Sequence, residues 1–430
     1  MKSDLIIHNA GQVISCASGG KPKRRAEMSD VGVIENGAVA ITVGKISGVG
    51  KSEDILREFE ADNFIDAGGK VVTPGFVDCH THIVYAGERV DEFELKIKGA
   101  DYLEILANGG GIISTVKQTR EAGLDELVEQ SCERLGKMLA CGTTTVEIKT
   151  GYGLDTDTEM KMLDAIAELD KTQAIDNVPT FLPAHAIPPE FKDNADAYVD
   201  LICGEMLPRA WDWYLIAHFF REDIPFFADV FCEKNAFDLQ QSKRILNTAK
   251  ALGFGIKAHV DEFTNLGGSG LAIELGAVSI DHLDEISDDE IQLLANSETI
   301  GVVTPAVNFN FGSTVFADAR KMIDSGCTVA LSTDYNPGSA PCPSQPMAMA
   351  IACRFQKLLP SEALNAATIN AAFAVGLGAR VGSIEVGKRA DILILDANDY
   401  RQLAYDFGGN LVDTVIKNGE IVINGQKREC

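Results

Sequence analysis

The 430-residue sequence has few basic residues: 38 lysines and arginines stand against 63 aspartates and glutamates, which gives a net charge of −25. So acidic a protein repels phosphate groups, which argues against a nucleic acid or an anionic membrane as its partner. No apolar run approaches the roughly 18 residues of a membrane span, and the opening MKSDLIIHNAGQVISC is too short and polar for a signal peptide. The ten cysteines include no C-x-x-C pair. We therefore expect reduced thiols in a cytoplasmic protein.

Both ends of the chain, residues 1–73 and 381–430, consist of short β-type runs with glycine turns. Residues 74–380 instead alternate short runs of valine, isoleucine and phenylalanine with segments of helical periodicity, which is typical of βα units around a parallel sheet. Eight strands are predicted there, over 75–82, 143–149, 178–185, 228–233, 255–260, 277–282, 299–304 and 327–334. Helices are predicted over 125–140, 157–169, 239–252, 287–295 and 317–325. Eight such units indicate an α/β fold with a closed (β/α)8 barrel, although an open doubly wound sheet has the same alternation.

Histidines concentrate at the ends of the predicted strands. Of the seven in the chain, five occupy such positions: His80, His82, His185, His259 and His282. The fourth strand ends in Glu233 and the eighth in Asp334. Barrel enzymes build their active sites at the carboxyl ends of their strands. The alternative, that each residue merely ends a strand, does not account for so many in equivalent places.

The pair His80 and His82 predicts a metal ligand set, because alternate residues of a strand face the same side. Together with His259 and Asp334 they offer three nitrogens and one carboxylate oxygen, which suits Zn²⁺ and tolerates Fe²⁺. We expect one divalent metal per chain. A second metal would need a bridging group, for which Glu233 is a candidate.

A bound divalent metal lowers the pKa of its water to about 7, which supplies a hydroxide nucleophile. Asp334 is placed to hold that water and take its proton. His282 would then stabilise the developing oxyanion. Glu262, three residues after His259, could exchange protons with a substrate nitrogen.

The histidines and the aspartate on these strands resemble the pattern of the amidohydrolase superfamily. Finer motifs are similar to the imidazolonepropionase family: they span 86–105, 108–112, 147–154, 182–191, 230–238, 259–263 and 332–339, together with the tail LNAATINAAFAVGL and GSIEVGKRADILIL. The resemblance covers nearly the whole chain in order. It implies a small β-sandwich built from both chain ends, a homodimer, and hydrolysis of 4-imidazolone-5-propanoate to N-formimidoyl-L-glutamate in histidine degradation.

The resemblance also implies roles for particular residues. It assigns the metal to His80, His82, His259 and Asp334, and acid–base work around the ring to Glu262 and His282. It assigns contacts with substrate or product to Arg89, Tyr152, His185, Asn336, Gly338 and Ser339. An arginine fork suits the anionic substrate of so acidic a protein, although Arg89 could equally form a surface salt bridge with Glu88, Asp91 or Glu92. Residues 109–111 could cradle an anion through backbone N–H groups, although a flexible turn is the plainer interpretation.

The chain departs from the family pattern over 205–229, which is longer and more aromatic than the usual connection and contains both tryptophans and His218. We expect no catalytic role for His218. Position 339 is serine where threonine is often found, which keeps the hydroxyl. Two other functions stay open: another cyclic amidohydrolase or aminohydrolase, of the purine or pyrimidine deaminase type, and a metal-free scaffold protein.

Overall fold

The computed structural model describes residues 1–98 and 110–425. Parts of the motifs at 86–105 and 108–112, including Gly109, and the last residues of the segment 381–430 lie outside the described residues. The strands are β1 Lys2–Ile14, β2 Val33–Thr42, β3 Lys45–Lys51, β4 Glu60–Asp66, β5 Val71–Pro74, β6 Phe76–Asp78, β7 Thr143–Lys149, β8 Asp176–Ala184, β9 Phe227–Cys232, β10 Gly255–Val260, β11 Ser279–His282, β12 Ile300–Val303, β13 Thr328–Leu331, β14 Ile392–Leu395, β15 Val412–Lys417 and β16 Glu420–Asn424.

Helices separate the strands and cover the barrel. The α-helices are Ser52–Glu58, Val90–Ile97, Ile112–Glu121, Leu124–Ala140, Thr156–Thr172, Ala195–Leu201, Leu207–Ile216, His218–Arg221, Leu239–Leu252, Gly268–Leu275, Asp288–Ala295, Pro305–Phe311, Ala319–Ser325, Gln345–Phe355, Pro360–Asn365, Ala371–Ala374 and Gln402–Tyr405. Short 3-10 turns occupy Arg25–Ser29 and Pro189–Phe191, and π-helical turns occupy Ile202–Met206 and Ala366–Asn370. Capping boxes begin Leu239–Leu252 and Asp288–Ala295, which is why local sequence predicts their starts well. Within the described part of the chain, no helix combines the length and apolarity needed to cross a membrane.

The eight middle strands form one parallel sheet in chain order, from β6 to β13. The two end strands are joined across a seam. There the Asp78 carboxylate accepts hydrogen bonds from the Ser332 hydroxyl and from the amide and hydroxyl of Thr333, the latter two at 3.2 and 2.6 Å. The amide of His82 also donates to the Tyr335 carbonyl at 2.9 Å. The sheet is therefore a closed barrel, and the fold class predicted from the sequence is confirmed.

The first barrel strand is shorter than predicted. It ends at Asp78, so His80 and His82 follow β6 instead of belonging to it. The cause is the barrel seam, because Thr81 forms an isolated bridge with Tyr335 beyond the ends of β6 and β13. The two histidines nevertheless reach the same site, as described below.

Strands from both chain ends make a second sheet, in the order β16-β15-β14-β5-β1-β2-β3, with β4 also paired to β1. Its apolar core combines residues from the two ends, such as Leu5, Ile41, Ile392 and Ile416. The predicted domain of split termini is thus a mixed sheet with its own core. The barrel strand β8 meets it through Asp176, which accepts a hydrogen bond from Lys417 Nζ at 2.6 Å.

The aromatic segment 205–229 lies in the helical layer between β8 and β9. Trp211 packs against Phe254 with ring centroids 5.0 Å apart, and Trp213 Nε1 donates to Asp164 Oδ1 at 2.9 Å. His218 Nε2 pairs with Asp170 Oδ2 at 2.8 Å. These contacts join the segment to the outside of the barrel.

Candidate active site

Three of the histidines present their Nε2 atoms to one another at the carboxyl end of the barrel. His82 Nε2 lies 3.3 Å from the Nε2 atoms of both His80 and His259. Asp334 Oδ1 lies 3.6 Å from the Nε2 atoms of both His80 and His82. All four side chains are buried. The structure therefore brings the predicted ligand set together.

The spacing of these atoms fits a divalent cation. Nitrogens that bind zinc at 2.0–2.1 Å in tetrahedral geometry lie about 3.3 Å from one another. That is the separation of His82 Nε2 from its two neighbours. Unprotonated imidazole nitrogens held so close repel unless a cation lies between them. A ligand set of three nitrogens and a carboxylate oxygen also has the chemistry that Zn²⁺ and Fe²⁺ accept.

Buried carboxylates hold two of the histidines from behind. His80 Nδ1 donates to Asp281 Oδ2 at 2.7 Å, and His259 Nδ1 donates to Asp229 Oδ1 at 3.1 Å. Such partners fix the tautomer and the ring orientation, so that Nε2 faces the metal. Lys149 Nζ lies between the two carboxylates, 2.7 Å from Asp229 and 3.3 Å from Asp281.

Lys149 is a site residue whose position under the ligands was not predicted. Burial acts to lower its pKa, but the carboxylates of Asp229, Glu147 and Asp281 outweigh burial and raise the pKa above its ordinary value. The ammonium therefore stays charged. The sequence did contain a signal for this position. Charged residues at alternate positions of a barrel strand point into the barrel interior, which is usually apolar.

A cavity of about 1060 Å³ opens above the ligand set. The predicted ligands His82, His259 and Asp334 border it, and His80 lies beneath them. Its lining also includes Arg89, Tyr152, His185, Glu262, His282, Asn336, Gly338 and Ser339, which are all the residues predicted to contact substrate or to move protons. The structure brings these residues together, and their individual roles stay predictions.

Arg89 makes the salt bridge that the sequence left open, yet it also borders the cavity. Its Nε and Nη2 both donate to Glu92 Oε2, at 2.9 and 2.7 Å. The second oxygen of Glu92 accepts the Gly111 amide at 2.8 Å. Gly111 thus binds a carboxylate of the chain through its backbone. The guanidinium is held by one edge, and Nη1 is not used by Glu92.

Tyr152 and His185 form one wall of the cavity. The His185 ring stacks on His82 with centroids 4.8 Å apart, and its Nδ1 donates to the Gly151 carbonyl at 3.1 Å. Gly151 has a φ of 105°, and a side chain there would meet the His185 ring. Buried Glu159, which the sequence analysis missed, accepts the amides of Gly151, Gly153 and Leu154 at 3.1, 2.7 and 2.9 Å. It thereby holds the turn that carries Tyr152.

Two of the three predicted acid–base groups are buried and conformationally strained. His282 and Asp334 both have left-handed backbones, with φ of 83° and 50°, a conformation that tends to occur at functional sites. Burial raises the pKa of Asp334 to about 7, and burial together with the nearby carboxylates raises the pKa of Glu262 well above its ordinary value. Asn336 Nδ2 donates to Asp334 Oδ1 at 3.1 Å. Asn336 therefore orients that carboxylate.

The Glu233 carboxylate, the candidate bridge for a second metal, is bound by donors of the chain itself. Its carboxylate accepts the amides of Phe263 and Thr264, both at 3.1 Å, as well as the Thr264 hydroxyl. Among the described residues, the groupings able to hold a cation both include His80. One grouping is His80, His82 and His259 and the other is His80, His282 and Asp334, so the two overlap in one place.

Known protein sequences are similar to this chain over nearly its whole length. Residues 242–422 match the amidohydrolase family. An imidazolonepropionase from Chloroflexus aggregans is 53% identical over 423 residues, which cover 98% of this chain and 99% of that protein. One from Herpetosiphon aurantiacus is 50% identical over 424 residues, covering 99% of this chain and 98% of that protein.

Solved structures with the same fold are more distant in sequence. An adenosine deaminase from Xanthomonas campestris with bound zinc has a TM-score of 0.71 at 21% identity, covering 99% of this chain and 94% of its own. An E. coli guanine deaminase has a TM-score of 0.71 at 15% identity, covering 97% and 98%. These likenesses show that the barrel with its added terminal sheet is a fold that the chain shares with these two deaminases.

Proposed function

The chain belongs to the imidazolonepropionase family of amidohydrolases, and from this membership we infer that it hydrolyses 4-imidazolone-5-propanoate to N-formimidoyl-L-glutamate in histidine degradation. The reaction adds water across a ring C–N bond. The observation that carries this assignment is one cavity that holds both a buried His/Asp ligand set and the Arg89 guanidinium. A neutral purine or pyrimidine substrate would use the His/Asp ligand set, but it would give no reason for the Arg89 guanidinium.

We propose that Arg89 binds the propanoate group of the substrate, since a guanidinium pairs with a carboxylate through two parallel N–H bonds. The Nη1 side of the group, which Glu92 does not use, is suited to this contact. Tyr152 and His185 flank the ring of the substrate. The chain is acidic overall, so a local cation is needed to hold an anion in the cavity.

We further propose that His80, His82, His259 and Asp334 hold one divalent metal. When bound, it supplies a nucleophile by lowering the pKa of water to about 7. Asp334 accepts the proton of the attacking water at a carboxylate oxygen. His282 donates a hydrogen bond to the oxyanion that develops on the ring carbonyl. Glu262, kept protonated by its raised pKa, delivers a proton to the ring nitrogen as the C–N bond breaks.

We also propose an identity for the metal, an oligomeric state and a cellular location, from the resemblance and from the residues. The metal is Zn²⁺ or Fe²⁺, both of which this ligand set accepts. A homodimer follows from the family pattern alone. The nine cysteines in the described residues are all free, which supports a reducing cytoplasmic location.

The assignment is tested by turnover of freshly prepared 4-imidazolone-5-propanoate with metal-quantified protein, before and after chelation. We expect ring opening that follows about one metal per chain and returns when the metal is restored. A purine, a pyrimidine and an uncharged imidazolone lacking the propanoate group serve as comparison substrates. If fully metallated protein turned over only a purine or pyrimidine, the assignment would be wrong and a deaminase would replace it.

A further inference from the structure

The seventh barrel strand, to which the sequence analysis assigns no site residue, is followed directly by Thr304. This side chain is buried, and its Oγ1 lies 3.1 Å from Nδ1 of His282. Thr304 is also the N-cap of helix Pro305–Phe311, yet its hydroxyl makes no capping bond. A threonine at that position ordinarily accepts a hydrogen bond from an amide of the first helical turn. Here the hydroxyl is directed to His282 instead.

The other ring nitrogen of His282 has no hydrogen-bond partner among the described residues, although it is buried. The Oε2 atom of Glu262 is 3.9 Å away from it, and His282 borders the cavity. Nε2 is therefore the atom through which this ring can reach a substrate. Whether it donates or accepts depends on which nitrogen carries the proton in the neutral ring.

The hydrogen bonds of Thr304 distinguish the two tautomers. If Nδ1 carried the proton, it would donate to Thr304 Oγ1, and the buried hydroxyl hydrogen would have no acceptor among the described residues. If Nε2 carries the proton, the hydroxyl donates to Nδ1, and the one hydrogen left without a partner among the described residues is on Nε2, at the cavity. A substrate oxygen can accept it there, whereas the enclosed hydroxyl hydrogen of the other tautomer would stay unpaired, which is costly. The Nε2–H tautomer is therefore the one favoured when substrate is bound.

We propose that Thr304 is a positioning residue, which holds His282 as the Nε2–H tautomer with its donor directed into the cavity. In that state the ring can donate a hydrogen bond to the oxygen that gains negative charge during hydrolysis. The inference rests on the proposed function, because it assumes that His282 meets a developing oxyanion. Thr304 acts through His282. It also restrains a ring whose backbone is left-handed, with φ of 83°.

The variant that tests this is Thr304→Val, which keeps the shape and removes the hydroxyl. We expect kcat to fall about 10- to 100-fold, less than the roughly 100- to 1000-fold for removing an oxyanion donor outright, because His282 itself stays in place, with KM and metal content unchanged. Thr304→Ser restores the hydroxyl and should recover most of kcat. The matched control is Thr299→Val, directly before the same strand, because the Thr299 hydroxyl is buried and donates to the Ala277 carbonyl at 2.7 Å. That variant should lose stability but keep kcat.

A second measurement does not depend on turnover. In zinc-loaded wild-type protein labelled with ¹⁵N-histidine, His282 should show a protonated Nε2 and an unprotonated Nδ1, and Thr304→Val should show a mixture. A protonated Nδ1 in the wild type would overturn the inference, as would wild-type kcat in Thr304→Val. If the wild type did not hydrolyse 4-imidazolone-5-propanoate, the proposed function would fail, while the ¹⁵N spectrum would still decide the tautomer.

Discussion

The Arg89 guanidinium lies against the backbone of Gly338 so closely that a Cβ at position 338 would overlap Nη1. Through Nε and Nη2 the same group donates to Glu92. The guanidinium therefore contacts both an anion and a residue without a side chain. Glycine is required at position 338 because the guanidinium approaches the backbone closely. The backbone conformation itself does not require glycine, since other residues adopt it as well.

Gly338→Ala should displace the guanidinium and weaken the binding of the anionic substrate. We expect KM to rise about tenfold or more, since a mispositioned charged hydrogen bond costs about 1.5–3 kcal/mol, while kcat and metal content change little. Steady-state kinetics would show this. Gly136→Ala is the control, because a Cβ there meets nothing within 4 Å. An unchanged KM in Gly338→Ala would mean that Arg89 does not bind the substrate carboxylate.

Arg89→Met removes the charge and keeps most of the length of the side chain. Substrate binding should weaken by about 2–5 kcal/mol, the range for losing one partner of a buried charge pair. Arg89→Lys keeps the charge but lacks the planar guanidinium. Its substrate binding should therefore be weaker than that of the wild type and stronger than that of Arg89→Met. Binding is measured by KM and by inhibition with carboxylate analogues of the substrate. Equal inhibition of wild type and Arg89→Met would contradict the assignment.

Much of the fold could be predicted because it follows from local sequence patterns. Alternating apolar runs and helical periodicity located all eight barrel strands. Histidines at predicted strand ends converged because parallel strands of a barrel end at one face. The exact end of β6 could not be predicted, since the bridge between Thr81 and Tyr335 joins residues over 250 positions apart.

Residues that act behind the ligands were missed for a physical reason. Lys149, Glu159 and Thr304 have roles set by what surrounds them in space, and each would be unremarkable in an exposed loop. Sequence spacing shows which residues share a face of one strand, but not which side chains from other strands fill the space behind them. A charged residue on a buried barrel strand is the useful signal for such a position, since a buried charge must be paired.

The carboxylates behind the ligands predict an effect on metal affinity. Asp281→Asn and Asp229→Asn should each weaken metal binding about 10- to 100-fold, which is typical of losing the partner that orients a histidine ligand. The experiment is a competition titration of the apoprotein with a chromophoric chelator. Asp170→Asn is the control, because Asp170 pairs with His218 in the outer helical layer. Unaltered affinity in both variants would show that the imidazoles are oriented by packing alone.

His218→Gln should leave the kinetics unchanged. Its Nε2 is bound to Asp170 on the outside of the barrel, and the residue does not border the cavity. The expected cost is about 0.5–1.5 kcal/mol of unfolding free energy, as for one side-chain hydrogen bond, measured by denaturant melts. A large fall in kcat would show that the aromatic segment 205–229 reaches the site.

Asp334 is predicted both to bind the metal and to accept a proton, and two substitutions separate these tasks. Asp334→Ala removes the oxygen that lies 3.6 Å from His80 and His82, so both metal affinity and turnover should be lost. Asp334→Asn keeps an oxygen ligand but has no basic carboxylate, so it should retain metal and lose at least about 100-fold in kcat, the usual contribution of a general base. Metal analysis and turnover on the same samples make the comparison. Metal-loaded Asp334→Asn with near wild-type kcat would place the base elsewhere in the cavity, and Glu262 would then be the carboxylate to replace next.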